Sequence, residues 1–249
     1  MKLTNKVALV TGGASGFGQA ICEKFAQEGA SVLVVDINGQ GAEKVAQDIG
    51  ERAWAFQADV SKECDVQRLF AQVREQLGTV DILVNNAGVT HPRKALEAVT
   101  EAEFDRVFSI NVKSMFFTAK YAVPMMRASG GGVIINTAST AASRPRPGLT
   151  WYNTSKGAVV TMTKSMAAEL AQDNIRVCAL NPVIGETGML EEFMGKPDTP
   201  ENRQAFLDTI PLGRFLKPVD VAKAALFLAS EEASMVTGVD LEVDGGRCI

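Results

Sequence analysis

Three observations predict a doubly wound α/β fold, with a parallel seven-stranded sheet covered by helices on both faces in a single domain. Seven short β-branched runs alternate with longer amphipathic stretches throughout the 249 residues. The runs are apolar on both faces, as strands buried between two helical layers must be. A glycine-rich turn follows the first run and opens the first helical stretch, the order that a Rossmann nucleotide-binding unit requires.

The elements follow in order. The first strand, 6–10 (Lys-Val-Ala-Leu-Val), meets glycines at once and gives way to a helix near 17–28. Strand 31–35 and helix 40–49 come next, then strand 53–57 (Ala-Trp-Ala-Phe-Gln) and helix 62–77. Strand 81–84 precedes a long helical pattern over 101–128, and strand 132–137 (Gly-Val-Ile-Ile-Asn-Thr) precedes another over 152–173. Strand 175–180, helix 218–230 and strand 239–243 complete the set. Only 183–217 breaks the rhythm. It is rich in Gly, Pro, Glu and Met, follows a strand's carboxyl end, and reads as a substrate lid. No linker, low-complexity tract or solenoid-length repeat interrupts the pattern, so 1–249 reads as one unit.

Composition narrows the function. With 46% hydrophobic and 22% charged residues the chain has ample material for a core. A net charge of -4 gives no electrostatic reason to expect nucleic acid or an anionic membrane as partner. The apolar run at 7–10 is too short for a signal peptide or a membrane span, and cytoplasmic residence is the expectation. Cys22, Cys64, Cys178 and Cys248 lack CxxC spacing, and His91 is the single histidine, so neither a metal site nor a histidine triad is expected.

The turn Thr11-Gly-Gly-Ala-Ser-Gly-Phe-Gly18 has Gly-x3-Gly-x-Gly spacing. Glycines at 12, 16 and 18 allow a tight turn and close approach of a pyrophosphate to the backbone amides, with Ser15 and Phe17 flanking them. Asp36 closes the second strand eighteen residues after Gly18. A carboxylate there accepts hydrogen bonds from both ribose hydroxyls of an adenosine and repels a 2′-phosphate. Neither Ser15 nor Ile37 supplies a cation, so NAD is expected over NADP. Asp59 and Val60 end the third strand, with Asp59 able to reach an adenine amino group. Asn85, Asn86, Ala87 and Gly88 end the fourth; small residues clear a backbone path for a cofactor, although Asn and Gly serve turn geometry equally well.

Tyr152 and Lys156 are one helical turn apart, which places an ammonium beside a phenol and favours the phenol's ionised form. Ser139 lies thirteen residues upstream at the end of an apolar run. The same spacing also arises by chance on exposed helices, and the glycine turn supplies the context that makes it an acid/base device.

Together these residues resemble the short-chain dehydrogenase/reductase family over essentially the whole chain. The matching motifs are the 11–18 turn, Asp59-Val60, Asn85 to Gly88, Asn111-Val112, Ser139, Tyr152 with Lys156, and Asn181-Pro182 followed by Thr187. Length and spacing are closest to members similar to 3-oxoacyl carrier-protein reductases and NAD-dependent secondary alcohol dehydrogenases. The resemblance implies that Tyr152 exchanges a proton with the substrate oxygen while hydride moves between the carbinol carbon and nicotinamide. It further implies that Lys156 lowers the tyrosine pKa and holds the nicotinamide ribose, and that Ser139 positions the substrate oxygen. Asn111 would bind water through a local distortion of its helix and relay protons from Lys156. Thr187 would meet the cofactor, with Pro182, Ile184 and Gly185 fixing the nicotinamide face. Val183 stands where the family usually has glycine, which puts the local backbone path in question.

On the substrate side, Thr140, Ala141, Leu149, Trp151, Met189, Leu190, Phe193 and Met194 suggest an apolar pocket for a modest ketone or secondary alcohol. Arg144 and Arg146 either hold an anionic substrate group at the cleft mouth or are simply solvated. His91 is expected to be structural or exposed. Helices 101–128 and 152–173 carry Met115, Phe116, Phe117, Tyr121, Met162 and Met166, more apolar surface than one face needs. In the family such helices build dimer interfaces, so a homotetramer is expected. Beside the alcohol dehydrogenase reading stand a 3-oxoacyl thioester reductase and, from another class, a cofactor-sensing regulatory protein.

Overall fold

The computed structural model describes residues 1–186, 188 and 190–249. Its centre is a seven-stranded parallel sheet in the order β3-β2-β1-β4-β5-β6-β7. The strands are β1 (Val7–Thr11), β2 (Ser31–Asp36), β3 (Ala53–Gln57), β4 (Ile82–Asn85), β5 (Gly132–Thr137), β6 (Ile175–Pro182) and β7 (Asp240–Val243). Strand order reverses between β1 and β4, which pair through Ala8 with Ile82 and Val10 with Val84. A crevice is left outside the carboxyl ends of such a pair, where ligands bind in open α/β sheets.

Alternation along β1 explains the two layers. Ala8 and Val10 join a core with Ile21 and Phe25 of α1 (Gly16–Gln27), Val45 of α2 (Gly39–Ile49) and Val221 of α9 (Pro218–Ala229). Leu9 faces the opposite way and packs with Leu69 of α3 (Glu63–Gln76), Phe117 of α5 (Ser114–Ala128) and Leu170 of α6 (Thr150–Leu170). Both faces of the sheet are therefore dry, which accounts for the strands' continuous apolar runs.

The long helix expected over 101–128 is interrupted. It consists of α4 (Glu101–Phe108), a π-helical turn over Ser109–Lys113, and α5. Thr100 and Glu103 form a reciprocal capping box at its start. Segment 183–217, with no regular structure expected, contains two short helices, α7 (Leu190–Met194) and α8 (Pro200–Leu207). Thr199 caps α8 through the amide of Asn202, with Pro200 in its first turn. Met115 and Phe117 belong to the core rather than to a spare apolar surface, whereas Phe116 is 57% exposed. No helix among the described residues is long and apolar enough to cross a membrane.

Candidate active site

A cavity of about 470 Å³ opens at the carboxyl edge of the sheet. At one end it is lined by Gly12, Ser15, Gly16, Phe17, Asp36, Ile37, Asp59 and Val60, and at the other by Ser139, Arg146, Leu149, Tyr152, Lys156 and Phe193. Asn86, Ala87 and Gly88 lie on its wall, as do Thr140, Ala141, Pro182, Ile184 and Gly185.

The glycine turn is held by packing that excludes side chains. Gly12 has φ +66, and a Cβ on Gly18 would lie 2.0 Å from the carbonyl oxygen of Gly12. Asn86 ties the turn to β4 by donating from Nδ2 to the carbonyls of Thr11 and Gly12 at 3.0 and 3.2 Å. Thr11 Oγ1 accepts from the amides of Asn86 and Ala87. The first turn of α1 carries no acidic residue, and its N-cap Ser15 makes no side-chain capping bond, so those amides are open to an anion. The Asp36 carboxylate accepts from the amides of Ala14 at 3.0 Å and Asn38 at 2.9 Å, which fixes it at the cavity edge. Asp59 is drawn into its own turn by the amide and hydroxyl of Ser61. Asn85, read as either structural or cofactor-facing, is structural: it donates to Asn136 and accepts from Thr118 in the core.

The π-helical turn positions Asn111. The extra residue swings its side chain toward the end of β4, where Oδ1 accepts from the Val89 amide at 2.8 Å and Nδ2 donates to the Val89 carbonyl and the Ser155 hydroxyl. Asn111 is fully buried and does not line the cavity. Gly88 separates it from Lys156, since a Cβ there would lie 3.4 Å from both Asn111 Oδ1 and Lys156 Nζ.

Tyr152 is buried and its ring packs edge-on against Phe193, with centroids 5.2 Å apart. Burial pushes its pKa up to about 12, while Ser139 and the charge of Arg146 oppose the shift. Lys156 is expected from spacing to lower that value, but it is not among the groups that shift it. Its Nζ, 5.9 Å from the Tyr152 ring centroid, donates to the Thr137 carbonyl at 2.7 Å. Burial without a counter-ion pulls Lys156 itself down to about 8. Ser139 Oγ accepts from the Ala141 amide, which orients the hydroxyl at the end of β5.

The structure separates the two arginines. Arg146 reaches the cavity and stacks on Phe206 at 4.9 Å, whereas Arg144 is exposed and donates to the carbonyl of Arg247. Trp151, expected among the substrate contacts, faces away: it packs edge-on against Phe104 and donates to the Leu96 carbonyl. It neighbours Tyr152 on a helix, and adjacent helical residues point in different directions. Leu190 is a core residue that borders a neighbouring groove, and Gly18 is walled off by Gly12 and Asn86. Thr187 and Met189 lie outside the described residues. His91 is buried away from the cavity, with Nδ1 2.9 Å from the Pro92 carbonyl.

Val183 fits where a glycine was expected. Gly12 and Gly16 have positive φ, but among the described non-glycine residues only Asn5 and Asn174 do, so the backbone at 183 suits a branched side chain. Its amide extends the β6–β7 pairing by donating to Val243. Gly185 is the tightly packed position: a Cβ there would lie 2.7 Å from the tip of the Phe17 ring and 3.0 Å from the Leu216 carbonyl oxygen. Val35, Ala58, Val89, Ile110, Thr137, Ala138, Val183 and Gly188 also line the cavity. Apart from Val183, no sequence feature singled them out, although several adjoin motif residues.

A family model described as enoyl-(acyl carrier protein) reductase matches residues 12–247. The chain is 52% identical to the 4-formylbenzenesulfonate dehydrogenase of Comamonas testosteroni, covering all of both chains. It is 39% identical to the 3-oxoacyl-[acyl-carrier-protein] reductase of Thermotoga maritima, again over the whole of both. The crystal structure of a 3-ketoacyl-(acyl-carrier-protein) reductase from Brucella melitensis complexed with NADH superposes with a TM-score of 0.95 at 49% identity, covering 99% of this chain and 100% of that one. With this agreement along its full length, the chain belongs to the short-chain dehydrogenase/reductase family and is a nicotinamide-dependent oxidoreductase.

Proposed function

We propose that this enzyme catalyses reversible, NAD(H)-dependent interconversion of an alcohol and its carbonyl compound, with Tyr152 as the proton-transfer group. The observation that carries this reading is one continuous cavity with a glycine turn and Asp36 at one end and Ser139, Tyr152 and Lys156 at the other. The residues fit a dinucleotide. Glycines leave no side chain in the path of its phosphates, the open amides of α1 suit their charge, and Asp36 suits an unmodified ribose. Ile37 and Ser15 bring no cation beside Asp36, which favours NAD over NADP. The cofactor, when bound, accepts hydride from the carbinol carbon or returns it.

Ser139 holds the substrate oxygen beside the Tyr152 phenol. In oxidation the ionised phenol takes the hydroxyl proton as the C–H bond gives up its electron pair; in reduction the neutral phenol supplies it. Lys156 would hold the nicotinamide ribose, and a water held by Asn111, across Gly88, would link Lys156 to solvent as a proton relay. The segment 183–217 closes over the substrate, Phe193 resting on Tyr152. Free thiols at Cys22, Cys64, Cys178 and Cys248 support a reducing, cytoplasmic compartment, and exposed Phe116 on α5 supports assembly to a homotetramer.

The relative named for 4-formylbenzenesulfonate favours a compact alcohol or aldehyde. A 3-oxoacyl thioester is the second reading, supported by the names of the other two relatives. Replacing Tyr152 by Phe should reduce turnover by about 10²–10⁴-fold while NADH binding persists. A wild-type protein that binds NADH yet turns over no alcohol, ketone, aldehyde or 3-oxoacyl thioester would overturn the reading.

A further inference from the structure

Arg146 is the one charged side chain, apart from Lys156, on the cavity's reacting end. The charged groups that bear on it are Arg247, Arg93 and the Tyr152 phenol, and no carboxylate is among them. Its guanidinium is half-buried against the ring of Phe206. One aromatic face satisfies none of its five N–H donors, and Arg247 and Arg93 add like charge. Desolvation and those charges pull its pKa down to about 10, so it is still cationic at neutral pH.

The residue is also held in place. Its carbonyl accepts from Asn153 Nδ2 at 2.9 Å and from the Leu149 amide, which binds it to the start of α6. Arg93 Nε donates to the carbonyl of Pro147, and the Arg93 stem fills the space that a Cβ on Gly148, φ +82, would need. A cation with unspent donors on a fixed loop is preorganised for a ligand. Arg146 and Tyr152 line the same cavity, and the charge of Arg146 bears on the phenol. Leu149 and Phe193, which pack with Tyr152, give this end of the cavity an apolar wall.

Building on the proposed alcohol–carbonyl chemistry, we infer that Arg146 is an anion subsite. It selects compact substrates in which an apolar body joins the reacting alcohol or carbonyl to a carboxylate or sulfonate. The anion pairs with the guanidinium fork, and the reacting oxygen falls at Ser139 and Tyr152.

The test compares 4-(hydroxymethyl)benzoate with its methyl ester, and 4-(hydroxymethyl)benzenesulfonate with the sulfonamide, in the wild type, Arg146→Met and Arg146→Lys. The wild type should favour each anion in kcat/KM, and Arg146→Met should reduce that preference by about 100-fold, chiefly through KM. Arg146→Lys should retain part of it, since a point charge remains without the fork. Benzoate and benzamide binding to the NADH complex, measured by calorimetry, reads the subsite without turnover. Melting temperatures of the variants exclude misfolding as the cause of a loss. Equal binding of benzoate and benzamide, with alcohols still oxidised, overturns the inference and leaves the alcohol–carbonyl reading intact. Preferential, Arg146-dependent benzoate binding in a protein inert to every alcohol upholds the subsite and defeats that reading instead. A carrier phosphate is the other source of negative charge. If Arg146→Met impairs acetoacetyl-coenzyme A but neither its phosphate-free N-acetylcysteamine thioester nor the anionic alcohols, the inference fails.

Discussion

Gly18 offers the sharpest test of how the nucleotide turn is built. A Cβ there would lie 2.0 Å from the Gly12 carbonyl oxygen and 2.6 Å from Asn86 Nδ2, where real contacts begin at about 3.0 Å. Gly18→Ala must therefore move α1 or the Gly12 carbonyl by about 1 Å. That movement breaks the 3.2 Å bond from Asn86 Nδ2 to Gly12. Overpacking costs about 1–3 kcal/mol and the lost bond about 1 kcal/mol, offset by at most about 1 kcal/mol of helix propensity. The net loss is about 1–4 kcal/mol, a fall in Tm of about 2–16 °C for a chain of this length. Thermal unfolding and a fluorescence titration with NADH measure the two consequences, and NADH affinity should fall with Tm because the amides facing the phosphates are displaced. Gly157 in α6 is the matched control. A Cβ there meets nothing within 4 Å, and Gly157→Ala should stabilise by about 0.5–1 kcal/mol. A Gly18→Ala protein with Tm within about 2 °C of wild type and unchanged NADH affinity would refute the steric account.

Two further outcomes follow from the charged groups. Lys156, pulled down to about 8 by burial, carries a desolvation cost below that pH which vanishes above its unfolded value of about 10.4. Lys156→Met should therefore raise the cofactor-free protein's stability at pH 7 by on the order of 1–2 kcal/mol after loss of the Thr137 bond, with the gain shrinking toward pH 10; urea unfolding across that range checks it, and a gain that grows with pH would contradict the sign. Asp36→Ser removes the carboxylate at the ribose end, so the ratio of NADH to NADPH affinity should fall by about 10–100-fold; fluorescence titrations that leave the ratio unchanged would assign Asp36 to holding the Ala14 and Asn38 amides alone.

The parallel sheet and the strand positions were legible because the central strands are buried on both faces and their apolar runs have sharp ends, as 132–137 shows by coinciding with β5. Periodicity could not show the break at Ser109–Lys113, because a single π turn shifts the apolar pattern without adding a helix breaker. Gly12, Gly16 and Gly88 were legible as cavity residues because glycines at a strand's carboxyl end leave the backbone bare. Residues chosen by hydrophobicity alone were less so. Trp151 and Leu190 are as apolar as Leu149 and Phe193, and only the direction of each side chain separates packing from lining. The electrostatics of Lys156 and Tyr152 depend on burial from all sides, which spacing along one helix does not report.

The contact between Phe17 and Gly185 joins two distant parts of the chain. Gly185 also bridges to Leu216 in parallel register, so the ring of Phe17 bears on both ends of the segment that begins after β6. Close-packed atoms transmit displacement rather than absorb it. A shift of the Phe17 ring at the glycine-turn end of the cavity is therefore passed to Gly185 and Leu216, so the first helix and the segment after β6 move as one body.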